Sequence, residues 1–213
     1  MATFDTDVTD RLLTTTRAVR KRLDLTRPVP RDVVLDCLRL AVQAPTGGNT
    51  QRWRWIVVDD PGKRAELAAL YRRSAEPYLE GHRQNIGDNP VLASSRYLTE
   101  HLHEVPVHVV PCILDRISER PSAGEAAGFY GSILPAVWSF TLALSSRGLG
   151  SVFTTLHLEY EREAAAVLGI PDTVTQVALL PVAYTLGGDF KPAARRPIEE
   201  ITYWNGWKQG RED

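Results

Sequence analysis

The chain of 213 residues is poor in cysteine, with only Cys37 and Cys112, and it carries almost no excess charge of one sign, with 25 Lys and Arg against 26 Asp and Glu. Two cysteines far apart in apolar surroundings read as buried thiols, which excludes a disulfide framework and a paired-cysteine zinc site. A net charge of −1 with 43% apolar residues excludes an intrinsically disordered chain. It also argues against a dedicated nucleic-acid binder, which carries a basic excess. No uninterrupted run approaches the ~18 apolar residues of a bilayer-spanning helix, so no membrane partner is expected. The start, MATFDTDVTDRLL, shows no basic segment followed by an apolar one, as a secretory signal would. The expectation is a cytoplasmic protein with a single domain over residues 1–213, since domains run to roughly 100–200 residues.

Several motifs are missing as well. There is no GxGxxG after a strand, which argues against the doubly wound dinucleotide fold. Neither a Walker loop nor GxSxG occurs, and HExxH is absent. His82, His101, His103, His108 and His157 show no metal-ligand spacing, so no metal site is expected.

What is there is a mixture of helix and strand signals. Residues 7–22 carry Val8, Leu12, Leu13 and Val19 at helical spacings, and the prolines of TRPVP (26–30) break the chain. RDVVLDCLRLAVQA (31–44) has an apolar stripe of Val34, Leu35, Leu38 and Val42. PTGGNTQ (45–51) is a turn-rich loop before the strand-like WRWIVVDD (53–60). A helix is expected over 63–73. Residues 74–90, with Pro77, Gly81, Gly87 and Pro90, read as an irregular lid or binding loop. A helix over 91–104 and a strand over 106–114 follow, then a polar loop over 115–127. The stretch 129–148 is apolar nearly all round and reads as a buried helix. Strands are expected at 151–156 and 173–184, with a helix at 161–169 between them and an aperiodic tail from Gly187.

The balanced total hides a local imbalance. Residues 11–40 hold Arg11, Arg17, Arg20, Lys21, Arg22, Arg27, Arg31 and Arg39 against Asp24, Asp32 and Asp36, a local net of +5. This reads either as a site for a phosphate-bearing partner or as a solvated helix face. In a helical RAVRKR (17–22), Arg17, Arg20 and Lys21 would share one face, and guanidinium forks suit phosphate oxygens. KPAARRP (191–197) is a second basic cluster that could converge on the same anion. In APTGGNTQRW (44–53), small residues would let a flat ligand approach while Thr46, Asn49 and Gln51 supply directional polar groups. A helix cap followed by a polar turn is the plainer alternative.

TTTRAVRKRL, then a proline-broken linker, then a helix ending in APTGGNTQRWRWIVV, resembles the N-terminal signature of the flavin-dependent nitroreductase family. SILPAVWSFTLALSSRGLGS, VFTTLH, ALLPVAYTLG and KPAARRPIEEI extend the resemblance, in order, over residues 10–204. It implies an α+β fold of three layers, α/β/α, with a central, mostly antiparallel sheet flanked by helices and a C-terminal segment exchanged in an obligate homodimer. It implies tightly bound FMN at the dimer interface. Arg17, Ala18, Val19 and Arg20 would hold its phosphate and ribityl chain, with Ala18 standing where the family has serine. Pro45, Thr46, Gly47, Asn49 and Gln51 would lie along the ring, commonly from the neighbouring subunit, with Arg52 in place of the usual proline. Thr155, Leu156 and His157 would pass near the ring through backbone groups, and Arg195, with Arg196 as the alternative, would return to the phosphate.

The implied reaction is ping-pong: NAD(P)H as co-substrate reduces the flavin, and a nitroaromatic, quinone or similar flat acceptor reoxidises it. The flavin carries the chemistry, so no side chain is assigned as catalytic. A dehydrogenase or dehalogenase reaction on the same scaffold is an alternative, as is a flavin store or sensor without efficient turnover. Among aromatic and imidazole groups that could wall a substrate pocket, Tyr71, His101 and Phe129 are the candidates. Tyr78 and Tyr130 come after them, and Trp138 reads rather as core or dimer interface.

Overall fold

The computed structural model describes residues 4–87 and 89–207. The chain divides into two compact units, one of residues 16–188 and one formed by the two ends, 1–15 and 189–213.

The larger unit is built on an antiparallel sheet. Strands β1 (Trp53–Val58), β2 (Val107–Ile113), β3 (Leu149–Ser151), β4 (Thr175–Gln176) and β5 (Leu180–Tyr184) pair in the order β1-β2-β5-β3, with β4 also on β2. Trp53 lies opposite Ile113, Val109 opposite Leu180 and Ser151 opposite Val182. All seven residues of β2 are buried, as a strand covered on both faces requires, and successive side chains point to opposite faces. Val107, Val109 and Ile113 enter a core with Val34, Cys37, Leu38 and Ala41 of α2 (Arg31–Ala41). Ile133, just before α6 (Leu134–Ser145), and that helix's Val137, Phe140, Ala143 and Leu144 complete this core. On the other face His108 Nε2 bonds the Leu102 carbonyl at 2.9 Å. Leu102 directly follows α4 (Pro90–His101), which packs on α3 (Pro61–Ile86). Helices therefore cover both faces of the sheet, the three-layer α+β arrangement expected.

Several element boundaries differ from the sequence expectation. Helix α1 (Thr6–Thr15) stops seven residues short of the expected end at 22. Beyond it the chain follows the sheet edge: Val19 N–H donates to the Ser151 carbonyl at 2.9 Å, Ala18 bridges Ser151 in parallel, and after a turn in which Leu23 N–H donates to the Arg20 carbonyl at 3.2 Å, Leu23 bridges Thr185. Arg17, Arg20 and Lys21 thus sit on an edge segment of the sheet, not on one helix face, because pairing with β3 outweighs local helical periodicity. The loop expected at 74–90 is instead the second half of α3, which runs through Pro77. Pro77 is exposed, while Ala75 and Leu79 are buried. Their burial offsets the roughly 3 kcal/mol a helix-interior proline costs. Gly87, at φ 67°, ends the helix, and Asn89 caps α4 by accepting the N–H groups of Val91 and Leu92 at 3.0 Å.

The expected helix 129–148 is two helices. α5 (Ala123–Gly131), capped by Ser122, begins inside the expected polar loop, and α6 begins after the break at Ser132–Ile133, with Pro135 in its first turn. Residues 123–145 together are apolar enough to cross a bilayer by length and composition. The span is broken at Ser132–Ile133, and Ala136, Val137, Phe140, Ala143 and Leu144 of α6 are buried within the protein. The strand expected at 151–156 is only the end of β3 plus a bridge from Thr154 to Leu179, and that expected at 173–184 splits into β4 and β5. Helix α7 (Glu161–Leu168) closes with Gly169 in the left-handed region.

The terminal unit contains α1, none of whose residues is buried, and the tail with a 3-10 turn at Ile198–Glu200. Tyr203 and Trp207 stack with ring centroids 5.0 Å apart, yet Trp204 and Trp207 are 77% and 81% exposed.

Candidate functional site

The extended Arg17–Arg20 segment can lie against β3 only because residue 150 is glycine. A Cβ there would come within 2.7 Å of Thr185 Cγ2 and 2.9 Å of Val19 Cβ, closer than real contacts allow. Val19 is buried in this contact and its N–H is held by the Ser151 carbonyl, so it anchors the segment and does not line the cleft beside it. A cleft of about 270 Å3 opens beside the segment. Arg17 and Arg20 supply its charge, Ala18 and Ser151 its bridged floor, and Leu134, Trp138 and Phe153 an apolar wall. Trp138 is half-exposed here and lines the cleft, so of the two expectations, core or dimer interface, it is not core. The Ser151 hydroxyl is buried and has no hydrogen-bond partner among the described residues. Thr141 Oγ1, the other hydroxyl of the cleft, donates to the Val137 carbonyl at 3.0 Å. Two guanidinium groups, a backbone-paired floor, an unpartnered hydroxyl and flat apolar side chains suit an amphipathic anion with an aromatic part.

The Pro45–Gln51 loop forms a second feature and contributes nothing to the lining of that cleft. Gly48, Asn49 and Gln51 all have positive φ, at 58°, 52° and 49°, a costly conformation for the non-glycine residues. Backbone bonds from Asn49 N–H to the Thr46 carbonyl at 3.0 Å and from Thr50 N–H to the Gly47 carbonyl at 3.2 Å hold it, with others that involve side chains. Gly47 N–H donates to Ser132 Oγ at 3.0 Å, Gln51 N–H donates to Thr46 Oγ1 at 3.3 Å, and the Gln51 amide donates to Asn49 Oδ1 at 2.9 Å. Arg52, where the family pattern has proline, pairs with Asp115, and its carbonyl takes the Leu114 N–H. The arginine therefore ties the loop end to the end of β2. The loop presents its polar groups outward to solvent.

Thr155, Leu156 and His157 follow the Thr154–Leu179 bridge and open a 3-10 turn, whose first N–H groups have no acceptor within the turn. The His157 ring is fully buried and neither nitrogen has a partner among the described residues. Burial pushes it down to about 4, with Glu161 pulling the other way. This segment thus has backbone groups to offer a ligand, and no imidazole. Burial likewise pushes the Tyr71 phenol up, against the opposing influence of a hydrogen bond with Thr154 and of nearby Arg20. Tyr71 is buried and does not line the cleft, so this substrate candidate offers it no ring face.

The other two substrate candidates lie elsewhere. His101 stacks on Tyr97 with centroids 4.3 Å apart and pairs with Glu104 at 2.6 Å. Phe129 is partly buried against the core and edge-on to Tyr130. Arg195 belongs to the terminal unit, where its guanidinium donates to the Ala194 carbonyl at 3.0 Å. Sequence reasoning did not single out Leu134, Thr141, Ser151, Val152 or Phe153, because the segments carrying them read as an ordinary buried helix and strand.

The Nitroreductase family profile matches residues 13–184. The chain belongs to the nitroreductase family. Among curated relatives it is 28% identical over 192 residues to an NADH dehydrogenase of Thermus thermophilus, covering 83% of this chain and 87% of that one. It is 27% identical over 180 residues to iodotyrosine deiodinase 1 of Homo sapiens, covering 81% of this chain but only 61% of that protein's length. Among solved structures, an iodotyrosine deiodinase bound to FMN and 3-iodo-L-tyrosine superposes with a TM-score of 0.68 at 25% identity, covering 93% of this chain and 99% of that one. An FMN-dependent nitroreductase of Mycobacterium smegmatis in complex with NADPH gives 0.68 at 19% identity, with 94% and 99% covered. This family member is thus a flavin oxidoreductase of the nitroreductase type with the family's α+β fold.

Proposed function

We propose that the protein is an FMN-dependent oxidoreductase that takes electrons from NAD(P)H and passes them to flat acceptors such as nitroaromatics or quinones. The observation that carries this reading is the cleft that pairs Arg17 and Arg20 with an apolar wall containing Trp138 and Phe153. The arginines would hold the phosphate through charge-assisted bonds, and the backbone of Ala18 and Val19 fixes where those arginines stand. When bound, FMN supplies the two-electron chemistry, and the protein orients it and tunes it. Thr155, Leu156 and His157 would offer backbone N–H groups to the ring. Arg195 is proposed to join the phosphate contacts.

The protein is proposed to work as a homodimer in the cytoplasm. Support comes from the exposed Pro45–Gln51 loop, in which Asn49 and Gln51 hold positive φ, and from the exposed Trp204 and Trp207. A second copy would take both, placing Pro45, Thr46, Gly47, Asn49 and Gln51 against a shared flavin. Exposed apolar groups of this size mark interfaces.

A second reading, reductive dehalogenation of a halophenol, is favoured by the similarity to iodotyrosine deiodinases. Anaerobic mixing of the FMN-loaded protein with NADPH should bleach the flavin absorbance. A nitroaromatic, a quinone or an iodophenol is then added to the reduced protein. Reoxidation by the first two supports the main reading, and reoxidation by the iodophenol alone supports the second. Failure of NADPH to bleach the flavin would overturn the main one.

A further inference from the structure

We infer that the Ser151 hydroxyl donates a hydrogen bond to the phosphate of FMN, working with Arg17 and Arg20; the inference rests on the flavin reading above. Of the two hydroxyls in the cleft, Thr141 already donates to the Val137 carbonyl at 3.0 Å. Ser151 is only 2% exposed, and its Oγ has no partner among the described residues. Buried hydroxyls in native proteins are nearly always paired, because leaving one unpaired is costly.

The backbone around Ser151 leaves this group little freedom to find a protein partner. On one side the residue lies opposite Val182 in the sheet, and on the other its carbonyl accepts the Val19 N–H at 2.9 Å. Its bridge partner, Ala18, presents a methyl group and no polar atom to the same floor. Arg17, next to Ala18 in sequence, and Arg20, two residues on, both line the cleft. A guanidinium is donor-only, and a serine hydroxyl can donate one hydrogen bond. The group that would satisfy the Ser151 hydroxyl beside two guanidinium groups is rich in acceptors and negatively charged. A ring N–H or an ammonium group would leave the donors opposed, and a neutral amide would meet them without the charge that the two guanidinium groups call for. The phosphate of FMN has that chemistry, and riboflavin, which lacks only the phosphate, does not.

The test compares FMN and riboflavin binding to apoprotein by quenching of flavin fluorescence. Ser151→Ala should raise the Kd for FMN about tenfold or more, as loss of a bond to a charged group does, and leave that for riboflavin unchanged. Ser151→Cys, which keeps the size but weakens the donor, should show the same selective loss. An unchanged FMN affinity, or equal weakening of FMN and riboflavin, would overturn the inference. If the wild-type protein took up no FMN at all, the flavin reading would fall and this inference with it, an outcome visible before any variant is made.

Discussion

At the residue scale, the cleft depends on a few side chains whose roles follow from their charge and surroundings. Arg17→Ala and Arg20→Ala should each weaken FMN binding by about ten- to a hundredfold, the range for a lost bond between charged groups. Equilibrium titration of each purified variant checks this, and unchanged affinity in both would remove the phosphate from this end of the cleft. His108 and His157 set a different property. Both rings are fully buried, and burial pushes each from the usual 6.5 down to about 4. Arg64 and nearby His157 push His108 the same way, against the bond its ring donates to the Leu102 carbonyl. The unfolded chain therefore binds protons that the folded chain refuses. Stability is at its full value above pH 6.5, declines as pH falls from 6.5 to about 4, and levels off below. By pH 5 the loss should be on the order of 2 kcal/mol for each histidine. Urea unfolding at pH 7.5 and pH 5 measures it, and equal midpoints would mean that the rings are solvated or paired.

At the element scale, two glycine and proline positions decide the geometry. Gly150→Ala places a methyl where Val19 and Thr185 already stand. It should push the Arg17–Arg20 segment off β3, lowering both the thermal midpoint and flavin retention. A variant as stable and as yellow as the parent would show that the close approach is not needed. Pro77→Ala restores a backbone donor inside α3 on an exposed face, and should raise stability by about 1–3 kcal/mol. Chemical denaturation decides the sign. These two positions also show how much of the fold is legible in sequence. Helix α2 is readable because its apolar stripe is the cause of its burial. The second half of α3 is not, because Pro77 is a local breaker and the apolar contacts that override it, Ala75 and Leu79, lie on the far side of the turn. The Arg17–Arg20 edge segment is equally hidden: its pairing partner, Ser151, is over a hundred residues away. The basic cluster itself was visible, because charge survives any change of backbone conformation. Ser151 was not, because a serine in a short strand acquires meaning only once its neighbour across the bridge is known.

At the scale of the whole molecule, the near-zero net charge conceals the +5 of residues 11–40, and the proposed function gives that charge a phosphate to hold. The basic cleft and the outward Pro45–Gln51 loop are separate surfaces of one chain, and the proposed dimer is what unites them. Size-exclusion with light scattering should therefore give twice the 23.7 kDa of the chain, without dissociation at micromolar concentration. The most direct measurement of the central claim is calorimetric titration of FMN into the apoprotein, followed by an absorbance spectrum of the washed complex. The expected result is one FMN per chain, retained on washing, with the flavin bands shifted from those of the free cofactor. Absence of binding, or binding no tighter than that of riboflavin, would contradict it.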